Sequence, residues 1–165
     1  TMIKRLLLAI MIAFPMSLFA QKFGVINTNE LMTSLPEMKS VQEQMEAATK
    51  KYEDEFTKLQ EEFNKKFQEF QALEATTPET IKERRTQELQ EIDTKIQRFR
   101  ETAQQDLQRQ NQQLLAPIQE KVMKAIQSVG AEGKYTFIFE NGMSLYTGVD
   151  VTDVTPLVKT ALGIK

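Results

Sequence analysis

A long stretch of the chain carries apolar residues at steps of three and four positions. It runs from Met38 to Leu73, and its apolar positions are Met38, Val41, Met45, Ala48, Tyr52, Phe56, Leu59, Phe63, Phe67 and Phe70. Steps of three and four place side chains on one face of an α-helix. The pattern therefore predicts one long amphipathic helix with charged residues over the rest of its surface.

A second stretch of the same kind follows the sequence Ala-Thr-Thr-Pro-Glu-Thr. We predict a helix with Thr77 as N-cap and Pro78 at the first helical position, ended by Gly130 and Gly133. Pro117 should kink this helix or mark where it leaves an arm for a globular base. Its apolar positions are Ile81, Leu89, Ile92, Ile96, Phe99, Ala103, Leu107, Leu114, Ile118, Val122, Ala125 and Val129.

The two predicted helices should form an antiparallel hairpin, because only a few residues join them. Some apolar positions repeat every eleven residues, which favours a straight or slightly right-handed coil. They are Met45, Phe56 and Phe67 in the first helix and Ile96, Leu107, Ile118 and Val129 in the second. At about 1.5 Å per residue the shorter helix would be on the order of 55 Å long, so the hairpin must project.

The remaining segments supply a small sheet and a closing helix. Lys22 to Asn27 indicates a short strand, and residues 27–37 are rich in capping and turn residues. Apolar residues on both sides of Asn141-Gly142 predict a β-hairpin, because this dipeptide suits the two positive φ angles of a type I′ turn.

The C-terminal tail is typical of a short helix. We predict that Thr152 or Thr155 caps it and that Gly163 ends it. Its inward-facing residues should be Leu157, Val158 and Leu162.

The predicted fold class is therefore α+β, with a long antiparallel α-helical hairpin, a coiled-coil arm, that projects from a small β core. The predicted domains are a signal peptide at 1–20, an association domain from 21–36 and 130–165, and an arm at 37–129. So small a sheet and core should not stand alone. We expect its open strand edges to pair with those of sister chains in a ring.

Residues Met2 to Ala20 have the composition of a secretory signal peptide. Lys4 and Arg5 precede an apolar stretch, and small residues lie near Ala20, after which we place the cut. A retained membrane anchor is the alternative, but the stretch is short for a span and Pro15 interrupts it. Without Cys, neither a disulfide nor a lipidated cysteine is predicted, and a bacterial periplasm fits best.

The composition removes most classes of enzyme. The chain has no His, Cys or Trp, which excludes His-based triads, Cys nucleophiles and the usual zinc sites. Taking Lys4 and Arg5 from the 21 basic residues leaves 19 against 23 acidic ones after Ala20, so no basic field favours nucleic acid. Paired carboxylates on the first helix are interpreted as solvated surface charges. No catalytic residue, metal or cofactor is predicted.

The phenylalanines of the first helix admit two interpretations. Most of them can form the seam of the hairpin. If the tip lies at residues 76–77, facing residue numbers add to roughly 153. Phe56 then faces Ile96, and Phe63 falls near Ile92.

Close to the tip the aromatic residues have few apolar partners. Phe67 and Phe70 face a mainly charged stretch in which only Ile81 is apolar, although Arg84 and Arg85 can stack on the rings. Two helices alone cannot hide these rings, and a cluster of exposed rings needs a partner. This surface is our candidate binding site.

The order of elements and two sequence blocks resemble the Skp/OmpH family of periplasmic chaperones. The most specific block is C-terminal, with "YTFIFENG", "LYTGVDVTDV" and the final helix, and "GVINTNEL" is similar to the first strand of the family. The resemblance covers nearly the whole chain after Ala20. It implies a homotrimer whose β core gathers strands from three chains, with three arms around a cavity for unfolded outer-membrane proteins, and no nucleotide.

The resemblance also implies roles for individual residues. The core and trimer region would contain Val25, Ile26, Phe137, Phe139, Leu145 and Tyr146, and the client-binding arm would contain Phe56, Phe63, Phe67 and Phe70. The best-known members have strongly basic arms, whereas this arm is mildly acidic. We therefore give apolar contact more weight than charge, and contact with lipopolysaccharide or anionic membranes stays open.

The function predicted from the sequence is that of a non-enzymatic, ATP-independent periplasmic holdase for unfolded β-barrel precursors. The alternative is a structural coiled-coil protein or adaptor that docks on one fixed envelope partner. A fixed partner predicts one stoichiometric complex, whereas a holdase predicts many clients and a graded loss as aromatic residues are removed. An enzyme is a remote third interpretation.

Overall fold

A computed structural model describes residues 21–164 of the chain, so the predicted signal peptide lies outside the described residues. Two long helices account for most of the structure. The elements in chain order are β1 (Phe23–Ile26), α1 (Thr28–Ser34), α2 (Pro36–Gln71), α3 (Glu79–Glu132), β2 (Phe137–Glu140), β3 (Thr152–Asp153) and α4 (Thr155–Ala161).

Helices α2 and α3 pack along each other as the predicted antiparallel hairpin, which we call the arm. They contain 36 and 54 residues. The cap of α3 was predicted one residue too early: Pro78 is the N-cap, and no side chain caps the helix. Helix α3 continues through Pro117, and Ile118 and Val122 just beyond it are buried in the base.

Glycine ends α3 as predicted, with Gly133 as the C-cap. The Tyr135 N–H donates to the Gly130 carbonyl at 2.9 Å, and the Lys134 N–H donates to the Ala131 carbonyl at 3.2 Å. These two bonds form a Schellman motif, in which the residue after the cap takes a positive φ. That residue is Lys134, with φ of 54°. A Cβ on Gly133 would lie 2.4 Å from the Tyr135 ring, so any other residue there requires the ring or the backbone to move.

The sheet has three strands in the order β2-β1-β3, and both pairings are parallel. The predicted β-hairpin is therefore wrong. After β2 the chain makes a turn in which the Met143 N–H donates to the Glu140 carbonyl at 3.2 Å. Only Gly142 has a positive φ in this turn, whereas a type I′ turn requires two such residues. The chain then reaches β3 on the far side of β1.

Helix α1 occupies the segment that the sequence indicated as turns. Its N-cap is Asn27, whose side-chain oxygen accepts from the Glu30 N–H at 3.0 Å. Leu31 is fully buried in the base. The capping residues in this segment therefore start a helix, and the buried leucine fixes it to the core.

Helix α4 closes the base, with differences from the prediction at its start. Val154 is the N-cap, because Thr152 belongs to β3 and Thr155 is already helical. Val158 is fully buried, but Leu157 is 49% exposed, so its inward orientation was predicted wrongly. Gly163 ends the helix as predicted, with φ of 74°.

Two separate apolar clusters hold the chain together. The base cluster joins α1, the base-side ends of α2 and α3, α4 and the inner face of the sheet. The arm cluster lies farther out and consists of Leu59, Ile92 and Ile96, with Phe56, Phe63 and Phe99 packed around them. The base cluster contains Ile26, Leu31, Leu35, Val41, Ile118, Val122, Val129, Val154 and Val158.

Candidate functional site

The aromatic residues of the arm divide into a packed group and an uncovered group. Phe56 and Phe63 pack against Leu59, Ile92 and Ile96 between the two helices. These contacts agree with the predicted pairing across the arm. Part of the surface of these two rings is therefore buried between α2 and α3 and stabilises the hairpin itself.

Nearer the tip, several apolar side chains lie outside both clusters, and three of them form what we call the tip patch: Phe67, Phe70 and Ile81. Phe67 is 41% exposed and Ile81 44% exposed, while Phe70 is half-buried. The Phe67 ring stacks on Phe63, with centroids 6.2 Å apart. Burying such a ring fully is worth roughly 1.5 to 3 kcal/mol, so the patch is an adhesive surface.

The arginines beside the tip patch engage a carboxylate rather than the rings. Arg85 Nη1 lies 2.9 Å from Glu88 Oε2, and Arg84 Nε lies 3.3 Å from the other oxygen. Lys66 of the facing helix approaches Glu88 at 3.6 Å. The Arg85 hydrogen bond, followed by the nearby positive charges, lowers the pKa of Glu88. The cations around the tip patch are therefore largely neutralised, which leaves its apolar area as the dominant feature.

The middle of the arm holds two aromatic residues, Tyr52 and Phe99, that the sequence prediction did not assign to binding. They lie beside Phe56, which it did assign. The Arg100 guanidinium lies 4.7 Å above the centre of the Phe56 ring. Tyr52 and Phe99 form a tilted ring pair with centroids 6.0 Å apart. The Tyr52 hydroxyl donates to Asp106 at 2.8 Å, and this bond raises the pKa of Tyr52. The facing-residue rule, applied to Tyr52, would have placed it near Phe99.

The outer side of the sheet is an apolar surface, which we call the open face. It consists of Phe23 and Val25 of β1 with Phe137 and Phe139 of β2, which lie opposite them in register. Phe137 is 56% exposed and Phe139 46% exposed, and their rings stack at 5.7 Å. Parallel sheets are normally covered on both faces. Within residues 21–164, this one is covered on the side of Ile26 and Ile138, where the base cluster lies, and not on the other.

The base loop, residues 141–151, follows β2 in the chain and also exposes apolar side chains. Leu145 and Val149 are fully exposed, Tyr146 is 84% exposed, and Met143 is also exposed. Of the predicted core residues, Ile26 is buried and Val25 half-buried, whereas Phe137, Phe139, Leu145 and Tyr146 lie on the outside of this single chain.

Within residues 21–164, acidic groups do not gather into a set that could hold a metal ion. Over the same residues, none of the helices is long and apolar enough to span a membrane. The chemistry that the described surface offers is apolar contact, framed by charges of both signs.

A projecting two-helix arm on a small sheet, with exposed apolar surface at both ends, defines an α+β protein with a coiled-coil type arm. The chain belongs to the OmpH-like family: the family model described as "Outer membrane protein (OmpH-like)" matches residues 22–162. The predicted family is thus confirmed.

A solved structure shows the same fold. It is the crystal structure of an OmpH-like protein from Caulobacter crescentus CB15 that carries the name of a candidate outer membrane chaperone. The two proteins share 17% sequence identity and superpose with a TM-score of 0.72, over 86% of this chain and 83% of the other. Among curated proteins, none matches this chain significantly.

Proposed function

We propose that this chain is a periplasmic, ATP-independent holdase that binds unfolded outer-membrane β-barrel proteins between its helical arms and prevents their aggregation. The observation that carries the proposal is the tip patch, because Phe67 and Ile81 are exposed on an arm that projects from the base. An apolar surface of this kind binds unfolded segments without reading their sequence. Family membership and the name of the Caulobacter protein support the same role.

The open face and the base loop support self-association of the base, and we propose a trimer. Three arms that leave one base in the same direction would enclose a cavity, which a single arm cannot do. In this arrangement Phe137, Phe139, Leu145 and Tyr146 contact neighbouring copies, while Phe56, Phe63, Phe67, Phe70 and Ile81 contact clients. Arg84 and Arg85 remain rim residues of the client surface, paired with Glu88.

The proposed periplasmic location rests on the sequence of residues Met2–Ala20, which has the features of a signal peptide. The proposed preference for apolar contact rests on the charge of the arm. The cations near the tip are paired with Glu88, Glu69 and Glu79, so few positive charges remain to attract anionic surfaces.

The test dilutes a urea-unfolded outer-membrane β-barrel protein into buffer and follows aggregation by light scattering. The chain that begins at Gln21 should suppress scattering, and a Phe67→Ser/Ile81→Ser variant should need several-fold more protein for the same effect. Asn64→Ser/Gln71→Ser is the matched control, because both residues are exposed polar residues near the tip. Scattering unchanged by the folded parent would refute the holdase, whereas one stoichiometric complex with a single envelope protein would favour an adaptor.

A further inference from the structure

A groove between the two helices lies in the middle of the arm, where the helices are not fully packed. We call it the mid-arm groove, and its volume is about 300 Å³. Its walls are almost wholly apolar and include Tyr52, Phe56, Phe99, Ala103 and Leu107. It is distinct from the tip patch, and only Phe56 belongs to the sequence-predicted site.

The groove lies in the gap between the two apolar clusters. It results from the sizes of the side chains that line this gap. The base cluster reaches outward to Met45 and Leu114, and the arm cluster begins at Phe56 and Phe99. Between them the smaller Ala103 lies on the wall. The large rings of the arm cluster and the aliphatic residues of the base cluster hold the two helices apart. A hollow therefore remains above the small side chain of Ala103.

The rim of the groove carries two charged side chains of opposite sign, Arg100 and Glu53. Arg100 lies over the Phe56 ring, and Glu53 lines the groove from the opposite helix. Among the ion pairs of residues 21–164, neither side chain takes part. An occupant therefore meets an apolar floor and, at the edge, two charges of opposite sign that belong to no ion pair among the described residues.

We propose that the mid-arm groove binds one aromatic side chain of an extended polypeptide whose neighbouring residues are polar or charged. The inference rests on the proposed function and adds a defined subsite to it. A hollow of this volume admits one ring, which can pack edge-to-face on Tyr52 and Phe99. In an extended segment the adjacent side chains point the other way or lie along the rim, where Arg100 and Glu53 pair with charged neighbours.

This combination favours the alternating segments of β-barrel strands over continuous apolar runs. Strands of membrane barrels alternate apolar and polar residues. A continuous apolar run would bring apolar side chains against Glu53, Arg100 and the exposed Gln104 at the border. A helix from a second copy would need a continuous apolar strip, which these same residues interrupt.

The test uses a short peptide with one central Phe between Ser, Asp and Lys residues, and a control peptide with Ala at the centre. Protein carrying ¹³C-methyl alanine reports the site, because the Ala103 methyl lies in the groove wall. Saturation transfer from protein to the peptide ring gives an affinity that is comparable among variants. We expect the Phe peptide to shift the Ala103 methyl in a saturable way and the Ala peptide to leave it unchanged.

Two variants alter the groove by different routes. Ala103→Leu fills it, and Leu107→Gln makes one wall polar. Each should weaken binding of the Phe peptide by about fivefold or more, as expected for central contacts. Gln108→Leu is the matched control, since Gln108 is an exposed neighbour on the same helix that does not line the groove. Circular dichroism of the helices identifies a variant that has lost its fold. If one of the two variants unfolds, binding by the other variant tests the proposal.

The outcomes separate this inference from the holdase itself. Equal binding by parent and both folded variants, or peptide shifts confined to alanine methyls near the tip, such as Ala72, would overturn the groove proposal, while aggregation suppression by the parent would keep the holdase. Peptide binding in the groove without suppression of aggregation would keep the groove proposal and refute the holdase. A shift of Ala103 that depends on protein concentration, without peptide, would assign the groove to a second copy and overturn the inference.

Discussion

Tyr52 and Asp106 are joined across the arm, with the phenol hydroxyl donating to the carboxylate at 2.8 Å. Asp106 also pairs with Arg109 one turn along its own helix. The bond lies between the two apolar clusters. A polar contact therefore fixes the relative position of the helices at the place where packing leaves the mid-arm groove.

Tyr52→Phe should lower the midpoint of thermal unfolding, because it removes this bond and leaves the half-buried Asp106 with Arg109 alone. We expect a decrease of roughly 2 to 4 °C. Tyr146→Phe is the control, since Tyr146 is largely exposed in the base loop. Thermal unfolding followed by circular dichroism measures both, and an equal midpoint for the Tyr52 variant and the parent would contradict the role of the bond.

The acid side of the stability profile should depend on Glu88. Its pKa is lowered in the folded chain by Arg85 first and then by the other cations. A lowered folded-state pKa gives stability that is full above the ordinary value of about 4.5 and is lost as pH falls through the folded-state pKa. Glu88→Gln should therefore reduce stability at pH 7 and flatten its decline below pH about 4.5.

Urea unfolding at a series of pH values tests the Glu88 prediction. Glu61→Gln is the matched control, because Glu61 is exposed on the arm and belongs to none of the ion pairs of residues 21–164. A profile for Glu88→Gln that runs parallel to the parent would show that the cluster around Arg85 does not contribute.

Lys134→Gly should stabilise the chain. Lys134 has φ of 54°, a conformation that costs a residue with a side chain roughly 1 kcal/mol or more relative to glycine. Its side chain is exposed, so little contact is lost. We expect a gain of about 1 kcal/mol in the free energy of unfolding, less the entropy that glycine adds to the unfolded chain.

Gly133→Ala provides the opposite control for the end of α3. Its Cβ would lie 2.4 Å from the Tyr135 ring, so the ring or the backbone must move. Urea unfolding of the two variants should shift the midpoint in opposite directions. A loss of stability in Lys134→Gly would mean that the side chain of Lys134 contributes more than its backbone strain removes.

The arm could be predicted from the sequence because helical periodicity is a local signal. Apolar steps of three and four located α2 and α3, and the facing-residue rule placed Phe56 and Phe63 on Ile92 and Ile96. The N-cap of α3 was predicted wrongly. Thr77 is a residue type that favours the N-cap, but it lies one position before the actual N-cap, Pro78.

The sheet could not be predicted in the same way, because its pairings are not local. Asn141-Gly142 indicated a hairpin, and a turn does occur there, but β1 lies between β2 and β3. The partners Phe23 and Phe137 are separated by the whole arm. The mid-arm groove also escaped prediction, because it is created by the spacing of two helices around Ala103 rather than by any residue motif.

Self-association of the base should depend on the open face and the base loop. Phe139→Ser/Leu145→Ser removes one large apolar side chain from each. Covering each side chain is worth roughly 1.5 to 3 kcal/mol, and 1.4 kcal/mol is a factor of ten in an equilibrium constant. The pair should therefore raise the dissociation constant of the assembly by about a hundredfold or more.

Sedimentation equilibrium at several concentrations distinguishes the possible results. Met123→Ser is the matched control, because Met123 is a large exposed apolar residue of α3 that lies outside the open face and the base loop. It should leave the mass of the assembly unchanged while the double variant becomes monomeric. A parent that stays monomeric at every concentration would refute the assembly. An assembly that survives the double variant would place the contacts between copies elsewhere, because two exposed side chains of this size cannot lie at its centre without effect.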